Sequence, residues 1–295
     1  MSRRLLVVAV VCLIVLAVLL TWCRSQAPIS VGTFNIRTFP GERTDREAVA
    51  AAIAGLDADV IAVQEIADPK VFQQVLDLAS AKSGRYYVMT LRHSHCRLDS
   101  MEIGVVHDAQ HLELIESSLL GDDPSCPKGQ APGLVALLRT LDDGRRLAFA
   151  SVHFKAGGGA KSWSERQAQW ATLAAEIPDV SERLRAPVIV AGDFNSTGYL
   201  DADSHERRFI DALVAHEELQ LPTATLGCSM YWRPRRGAAF EASLLDHVLA
   251  QDGLRFAAPE ALGMCAALAC APQDSAPRDF DAISDHCPVR VEVRL

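Results

Sequence analysis

None of the 8 cysteines in this 295-residue chain forms a C-x-x-C pair, which argues against a structural zinc site. Nor is there a surplus of positive charge. The net charge is −8, and setting aside Arg3, Arg4 and Arg24 leaves 26 basic against 37 acidic side chains, or −11. A protein that coats nucleic acid by charge alone does not fit that balance. An enzyme that handles phosphates through a bound cation does, because the cation supplies the missing positive charge. The chain also lacks repeats, low-complexity stretches and, after residue 28, any Pro/Ser-rich linker, so residues 28–295 read as one domain. With 49% hydrophobic and 22% charged residues the composition is ordinary for a globular protein, which excludes wholesale disorder.

No charge occurs between Arg4 and Arg24. The apolar run Leu5 to Leu20, extended by Thr21-Trp22-Cys23, lies between a signal-peptide core of about 7–15 residues and a spanning helix of about 18–20. Ser25-Gln26-Ala27 offers small residues for cleavage, but Pro28 follows. Leu20-Thr21-Trp22-Cys23 imitates a lipoprotein box with a bulky Trp22 in place of a small residue. Residues 1–27 are therefore expected to form an apolar export helix. It is read as a single-pass membrane anchor with its arginines inside, or alternatively as a cleaved signal peptide. The rest is expected to be exported, either membrane-anchored or secreted/periplasmic. In an oxidising compartment some of Cys96, Cys126, Cys228, Cys265, Cys270 and Cys287 should pair. Cys96 and Cys126, in polar, turn-rich stretches, are the expected pair, and Cys287, in an apolar segment, is expected to be simply core.

Apolar runs alternate with helical patterns. Strands are expected at Ile29–Phe34, Asp59–Glu65, Tyr86–Thr90, Glu102–Val106, Leu112–Ile115, Leu134–Thr140, Leu147–His153, Val188–Asp193, Leu245–Ala250 and Pro288–Val293. A capping box at Thr44-Asp45-Arg46-Glu47, the pair Asp68-Pro69 and the stretch from about Ser164 open helices. Many strands with helices outside imply a layered α/β sandwich.

Polar residues cluster at the strand ends: Asn35, Glu65, His153, Asp193 with Asn195, and Asp285-His286 before the last strand. One such residue is usually a turn former, but five such placements in one domain point to a site built from loops. Carboxylates converging without a Cys or His cage suit a hard cation, Mg²⁺ or Mn²⁺, with Ca²⁺ also compatible. His247 is read as structural, because its place beside Asp246 in a strand points it to the other face. His93, His95, His107, His111, His205 and His216 show no ligand spacing.

Six segments occur here in a familiar order: Thr33-Phe34-Asn35-Ile36-Arg37-Thr38-Phe39, Val63-Gln64-Glu65, Val152-His153, Gly192-Asp193-Phe194-Asn195, Leu245-Asp246-His247 and Ile283-Ser284-Asp285-His286-Cys287-Pro288-Val289. Over about residues 29–295 the chain resembles the endonuclease/exonuclease/phosphatase superfamily, and its first and last segments most resemble deoxyribonuclease I. The resemblance implies a four-layer αββα sandwich of two packed mixed sheets with helices outside. It makes Glu65 the main metal ligand, with Asn35 beside it and Asp285 completing the acidic pocket. Asp193 and Asn195 correspond to the pair that positions the attacking water and the phosphate. His286, bonded to Asp246, and His153 correspond to the catalytic histidines, with Glu102 as candidate partner of His153. Where deoxyribonuclease I carries an arginine that enters the minor groove, this chain has Ala67.

Two further stretches are candidate substrate contacts: Lys155 in a glycine-rich loop after His153, and Arg233, Arg235 and Arg236 beside Tyr231 and Trp232 in a long loop before Asp246. The leading reading is an exported, metal-dependent phosphodiesterase acting on DNA or RNA. The competing one is a phosphatase or sphingomyelinase-like hydrolase of phospholipid headgroups or inositol phosphates. A non-enzymatic binding protein would show losses in the site, and every site residue is present. No obligate protein partner is evident.

Overall fold

A computed structural model describes residues 27–93, 101–120 and 133–295. The expected export helix, and the expected Cys96–Cys126 pair, lie outside the described residues.

The first sheet is built around β1 (Ile29–Phe39), buried on both faces through Ile36. It pairs in parallel with β2 (Val60–Ile66) and antiparallel with β15 (Val289–Arg294). β4 (Glu102–Asp108) and β3 (Tyr87–His93) extend the sheet beyond β2, while β13 (Arg255–Phe256) and β14 (Glu260–Ala261) flank β15. The second sheet runs β5 (Leu112–Leu120), β6 (Gly133–Thr140), β7 (Arg146–His153), β8 (Val188–Asp193), β12 (Asp246–Gln251) and β9 (Leu219–Gln220). Each sheet is mixed: β7 and β8 are parallel, and β8 and β12 antiparallel.

Alternation along the strands makes the layers. Val31, Ala62 and Val105 of the first sheet face Ala136, Phe149, Ala191 and Val248 of the second in one buried cluster. The outer face of the first sheet, through Phe34, Ile61 and Val63, is covered by α1 (Arg46–Leu56) and α2 (Pro69–Ser83) with Val49, Ile53, Phe72 and Val75. The outer face of the second, through Val152, Val190 and Leu249, packs under α3 (Ala160–Leu184) and α4 (His205–His216) with Trp170, Leu173, Ile177 and Ile210. The result is a helix–sheet–sheet–helix sandwich. Among the described residues no helix is long and apolar enough to cross a membrane.

Several boundaries differ from expectation for local reasons. The cap of α1 is Asp45, not Thr44: its carboxylate accepts from the amides of Glu47 and Ala48, while the Thr44 hydroxyl accepts from Gly41 N. Helix α3 starts at Ala160, four residues before the expected point, directly after the glycine run. Helix α4, which was not expected, is capped by Ser204 and packs Phe209, Ile210, Leu213 and Val214 inward beside the buried, charged Glu206. The stretch expected as a loop before Asp246 is a hairpin of β10 (Met230–Trp232) and β11 (Glu241–Ser243).

A small cluster beside this hairpin gathers Cys228, Tyr231, Phe240, Met264, Cys265 and Cys287. Two disulfides run through it, Cys228–Cys270 and Cys265–Cys287. Cys287 is therefore more than a core residue: the short helix α5 (Gly263–Ala267) brings the Cys265 Cα to 6.1 Å from that of Cys287.

Candidate active site

The strand-end residues meet at one edge of the sandwich. In the second sheet Asp193 lies in register with His153 on β7 and with Asp246 on β12, so three side chains leave the same face side by side. A Cβ at Gly192 would overlap the carbonyl oxygen of Val152, so glycine there is what lets β8 lie against β7 next to Asp193.

In the first sheet the site forms where pairing slips. Asn35 pairs with Gln64, but the next pair is Phe39 with Ile66. β2 also shifts against β4 between Val63 and Ile66. Arg37, Thr38 and Glu65 take left-handed backbone at φ of 37°, 49° and 63°, as does Asn195 at 51°. Residues with a Cβ persist there only when their surroundings over-determine them, which is common at functional sites. The bulge leaves Gln64 buried, donating to Ser151 Oγ across the two sheets at 3.2 Å, while Glu65 is partly exposed beside it.

Hydrogen bonds join the two sheets into one constellation. Asn35 Nδ2 donates to Glu65 Oε1 and to Asp193 Oδ2, both at 3.0 Å. Its Oδ1 accepts from Arg37 N at 2.9 Å, which fixes the amide's orientation. Asn35 thus braces two carboxylates, and the second lone pair of its Oδ1 remains available to a cation. Glu65 Oε2 accepts from Thr38 N at 2.8 Å. Asn195 donates its backbone N–H to Asp193 Oδ1 at 2.8 Å and its Nδ2 to Oδ2 at 3.0 Å. Two imidazoles face the same carboxylate oxygen: His153 Nε2 lies 3.5 Å and His286 Nε2 3.8 Å from Asp193 Oδ2. His153 Nε2 is also 3.7 Å from Glu65 Oε1.

His286 is oriented from behind. Its Nδ1 lies 2.8 Å from Asp246 Oδ2, which also accepts from Ser229 Oγ at 2.7 Å. Ser284 Oγ donates to Asn35 O at 2.8 Å and accepts from His286 N at 3.1 Å. Asp285 has Arg37 Nε 3.8 Å from its Oδ2. The floor of the site, Asn35, Asp193, Asn195, Asp246 and His286, is buried, whereas the side chains of Glu65, His153 and Asp285 remain about one-fifth exposed at its mouth.

The electrostatics are uneven. Burial alone would push the Glu65 carboxyl up, but His153, the Asn35 amide, His286 and the Thr38 N–H together bring it below its usual range. Asp285 is raised, by burial and by the nearby Glu65 charge, against the opposing pull of His286 and Arg37. Burial would depress His286, yet Asp246, Asp193 and Asp285 hold its pKa well above the ordinary imidazole range. Burial pushes the Asp246 carboxyl up, against the opposing pull of His286 beside it. Glu65, His153 and Asp193 can bring one ligand atom each within 4.8 Å of one another, and so can Asp193, Asp246 and His286. Carboxylate oxygens that crowd one another in a half-buried pocket fit a hard divalent cation.

Glu102 opens β4, in register with Ile66 on β2 and His93 on β3, while Glu65 Oε1 and Asp193 Oδ2 stand 3.7 and 3.5 Å from His153 Nε2. The remaining candidates lie apart from this constellation. Lys155 points its Nζ at Ala156 O. Arg233, Arg235 and Arg236 are exposed near the tip of the β10–β11 hairpin. Ala67 is exposed just after β2. His111 does meet Asp59 and Asp108, but Arg85 Nη1 donates to both carboxylates, at 2.7 and 3.0 Å, and fills that cluster. Sequence reasoning missed Arg37, Thr38, Ser229 and Ser284. Arg37, Thr38 and Ser284 sit inside recognised segments, whereas nothing in the sequence marks Ser229.

His247 is structural, as its strand position implied. It is fully buried, with Phe194 and Tyr199 edge-on. Ser196 Oγ gives its own proton to Leu244 O, so His247 Nε2 donates to Ser196 and Nδ1 accepts from Thr223 Oγ1. Burial holds this neutral form, lowering the pKa from 6.5 to about 3. Below pH 6.5 the unfolded chain takes up a proton that the folded chain refuses, so stability falls as pH falls toward 3. Between pH 6.5 and 5 this residue should cost about 2 kcal/mol. Urea unfolding of the wild type and of His247→Gln at both pH values checks this: the variant should lose that much less stability on acidification.

The family model described as Endonuclease/Exonuclease/phosphatase family matches residues 32–286. The chain belongs to the endonuclease/exonuclease/phosphatase family. It is accordingly a phosphoric-ester hydrolase, of a family whose enzymes in general depend on divalent metals. Solved structures agree on the fold at low identity. The human Nocturnin catalytic domain with bound sulfate superposes with a TM-score of 0.64 at 17% identity, covering 90% of this chain and 93% of that one. A mannosyl-6-phosphatase of Bacteroides thetaiotaomicron gives 0.61 at 17%, covering 90% and 99%. D. rerio TDP2 complexed with a single-strand DNA product gives 0.62 at 15%, covering 91% and 100%. No curated protein matches the chain in sequence.

Proposed function

We propose that this family member is an exported, divalent-metal-dependent phosphodiesterase that hydrolyses DNA or RNA by in-line attack of water. The observation that carries the reading is the convergence of His153 and His286 on Asp193 Oδ2, with Glu65 and Asp285 at the mouth. Glu65 and Asp285 would hold the cation, which neutralises a non-bridging phosphate oxygen and the charge that develops in the transition state. Asp193, fixed by Asn35 and Asn195, orients the attacking water and takes its proton. His286 donates a hydrogen bond to the phosphate, with Asp246 and Ser229 fixing its ring. His153 stands at the mouth to serve the leaving oxygen. Export is supported by the uncharged run before Arg24 and by two disulfides, which persist in oxidising compartments. Residues 28–295 are the catalytic domain and residues 1–27 the export signal or membrane anchor.

The test is a panel of supercoiled plasmid, RNA, sphingomyelin and inositol phosphates, each with Mg²⁺, Mn²⁺ or EDTA. Nicking of plasmid that EDTA stops supports the proposal. Release of phosphate or phosphocholine from a headgroup, with nucleic acids untouched, replaces it by the phosphatase or sphingomyelinase-like alternative.

Metal linkage checks Glu65 separately. A cation that binds only the folded chain, at 100 times its Kd, adds about 2.7 kcal/mol. Mg²⁺ or Mn²⁺ should therefore raise the melting temperature of the wild type by several degrees, and that of Glu65→Gln much less. An equal rise removes Glu65 from the metal site.

A further inference from the structure

The β10–β11 hairpin is tied to the catalytic strand end and to little else that needs arginine. Met230 bridges to His286, and Tyr231 N donates to Asp285 O at 2.9 Å. The stem is stiff: Phe240 exchanges both backbone hydrogen bonds with Gln273, and Cys228, just before β10, is bonded to Cys270. The tip then reads Trp232-Arg233-Pro234-Arg235-Arg236-Gly237, with no acidic residue until Glu241. All three arginines are exposed. Arg233 stands 4.9 Å over the Phe240 ring, which holds one side of the loop. Among the described residues neither Arg235 nor Arg236 has a carboxylate within salt-bridge distance. Tyr231 is buried and donates its hydroxyl to Ala271 O, so the aromatic surface on offer is Trp232, 42% exposed.

We infer that this tip is an accessory anion site that grips a second phosphate of the nucleic-acid strand, some nucleotides away from the phosphate being cleaved, with Trp232 as a stacking surface. The inference rests on the proposed nuclease function and names how that site selects a polymer. Four residues of extended chain place Arg235 within about 13 Å of the Asp285 backbone, a reach of about four nucleotides of one strand. A three-arginine tip beside an acidic pocket, on a domain of net charge −11 after residue 27, complements a chain of phosphates in a way that a single headgroup does not use. A membrane-inserting tip would present apolar side chains, and here only Trp232 is one of any size.

The experiment is fluorescence anisotropy of a single-stranded 12-mer in Mg²⁺, read in a His286→Ala background over a range of salt. Arg235→Ala/Arg236→Ala should weaken binding about tenfold or more and flatten the slope of log affinity against log salt by about 0.7 per lost phosphate contact. Lysines at both positions should restore the slope. In the active enzyme, the ratio of kcat/KM for the 12-mer to that for bis(p-nitrophenyl) phosphate should fall by a similar factor. Equal affinity and slope in parent and variant overturn the inference. So does a lack of 12-mer binding by the parent, or arginine-dependent binding to phosphatidylserine vesicles while 12-mer binding stays the same. A parent that binds the 12-mer through these arginines, while the active enzyme leaves it uncut, upholds the inference and defeats the nuclease reading.

Discussion

Asp193→Asn should lower kcat by about 10²–10⁴-fold with little change in KM, because it removes the group proposed to orient water and accept its proton. The substitution is nearly isosteric but not silent. Asp193 Oδ2 accepts from Asn35 and Asn195 amides and Oδ1 from Asn195 N, so whichever way the new amide points, one donor faces another. A stability loss of about 1–3 kcal/mol should accompany the rate loss. His286→Ala should cost a similar rate factor by another route: it leaves the fully buried Asp246 carboxylate with Ser229 as its remaining side-chain partner and drives its pKa higher still. Single-turnover rates normalised to folded protein by circular dichroism measure both. A rate within threefold of wild type in either variant would remove that residue from the chemistry.

The largest stability effect is expected far from the phosphate, at Arg166. Its side chain is 1% exposed and is paired with Glu206 at 2.8 Å. The same guanidinium donates to Lys155 O at 3.1 Å, Gly157 O at 2.6 Å and Thr197 Oγ1 at 3.0 Å. It therefore ties the loop that follows His153 to the loop that follows Asn195. Arg166→Leu leaves Glu206 charged and buried, which typically costs about 3–5 kcal/mol. Urea titration should show that loss. Adding Glu206→Gln should recover part of it, though the Gly198 N–H that Glu206 also accepts keeps recovery incomplete. Because the two loops lead directly out of His153 and Asn195, the folded fraction of Arg166→Leu should also turn over more slowly, as loosened positioning predicts.

The layers and the convergence of most of the candidate site residues were legible because strands of Val, Ile and Ala alternate with capped helices and end in recognisable polar segments. Legibility failed where long-range geometry decides. The bulge that exposes Glu65 depends on two registers slipping against different neighbours, so the approach of Glu65 to His153 could not be chosen from spacing alone. Ser229 is an unmarked serine whose role exists only because β10 passes behind Asp246. The pairing of Cys265 with Cys287 follows from the turn of α5. The hairpin before Asp246 was hidden by a tip of Arg, Pro and Gly, which reads as loop.

The placement of β1 between β2 and β15 has a consequence for synthesis. β2 is made about 30 residues after β1, whereas β15 pairs with it from some 260 residues away, and Ser284 reaches back 249 residues to the Asn35 carbonyl. Until β15 is made, β1 can therefore have a partner on one side and a bare, apolar edge on the other, the kind of edge that recruits foreign strands. The act that closes this edge also delivers Asp285 and His286 to the pocket. Protection from aggregation and the onset of hydrolytic competence thus arrive together, with the last strand of the sheet.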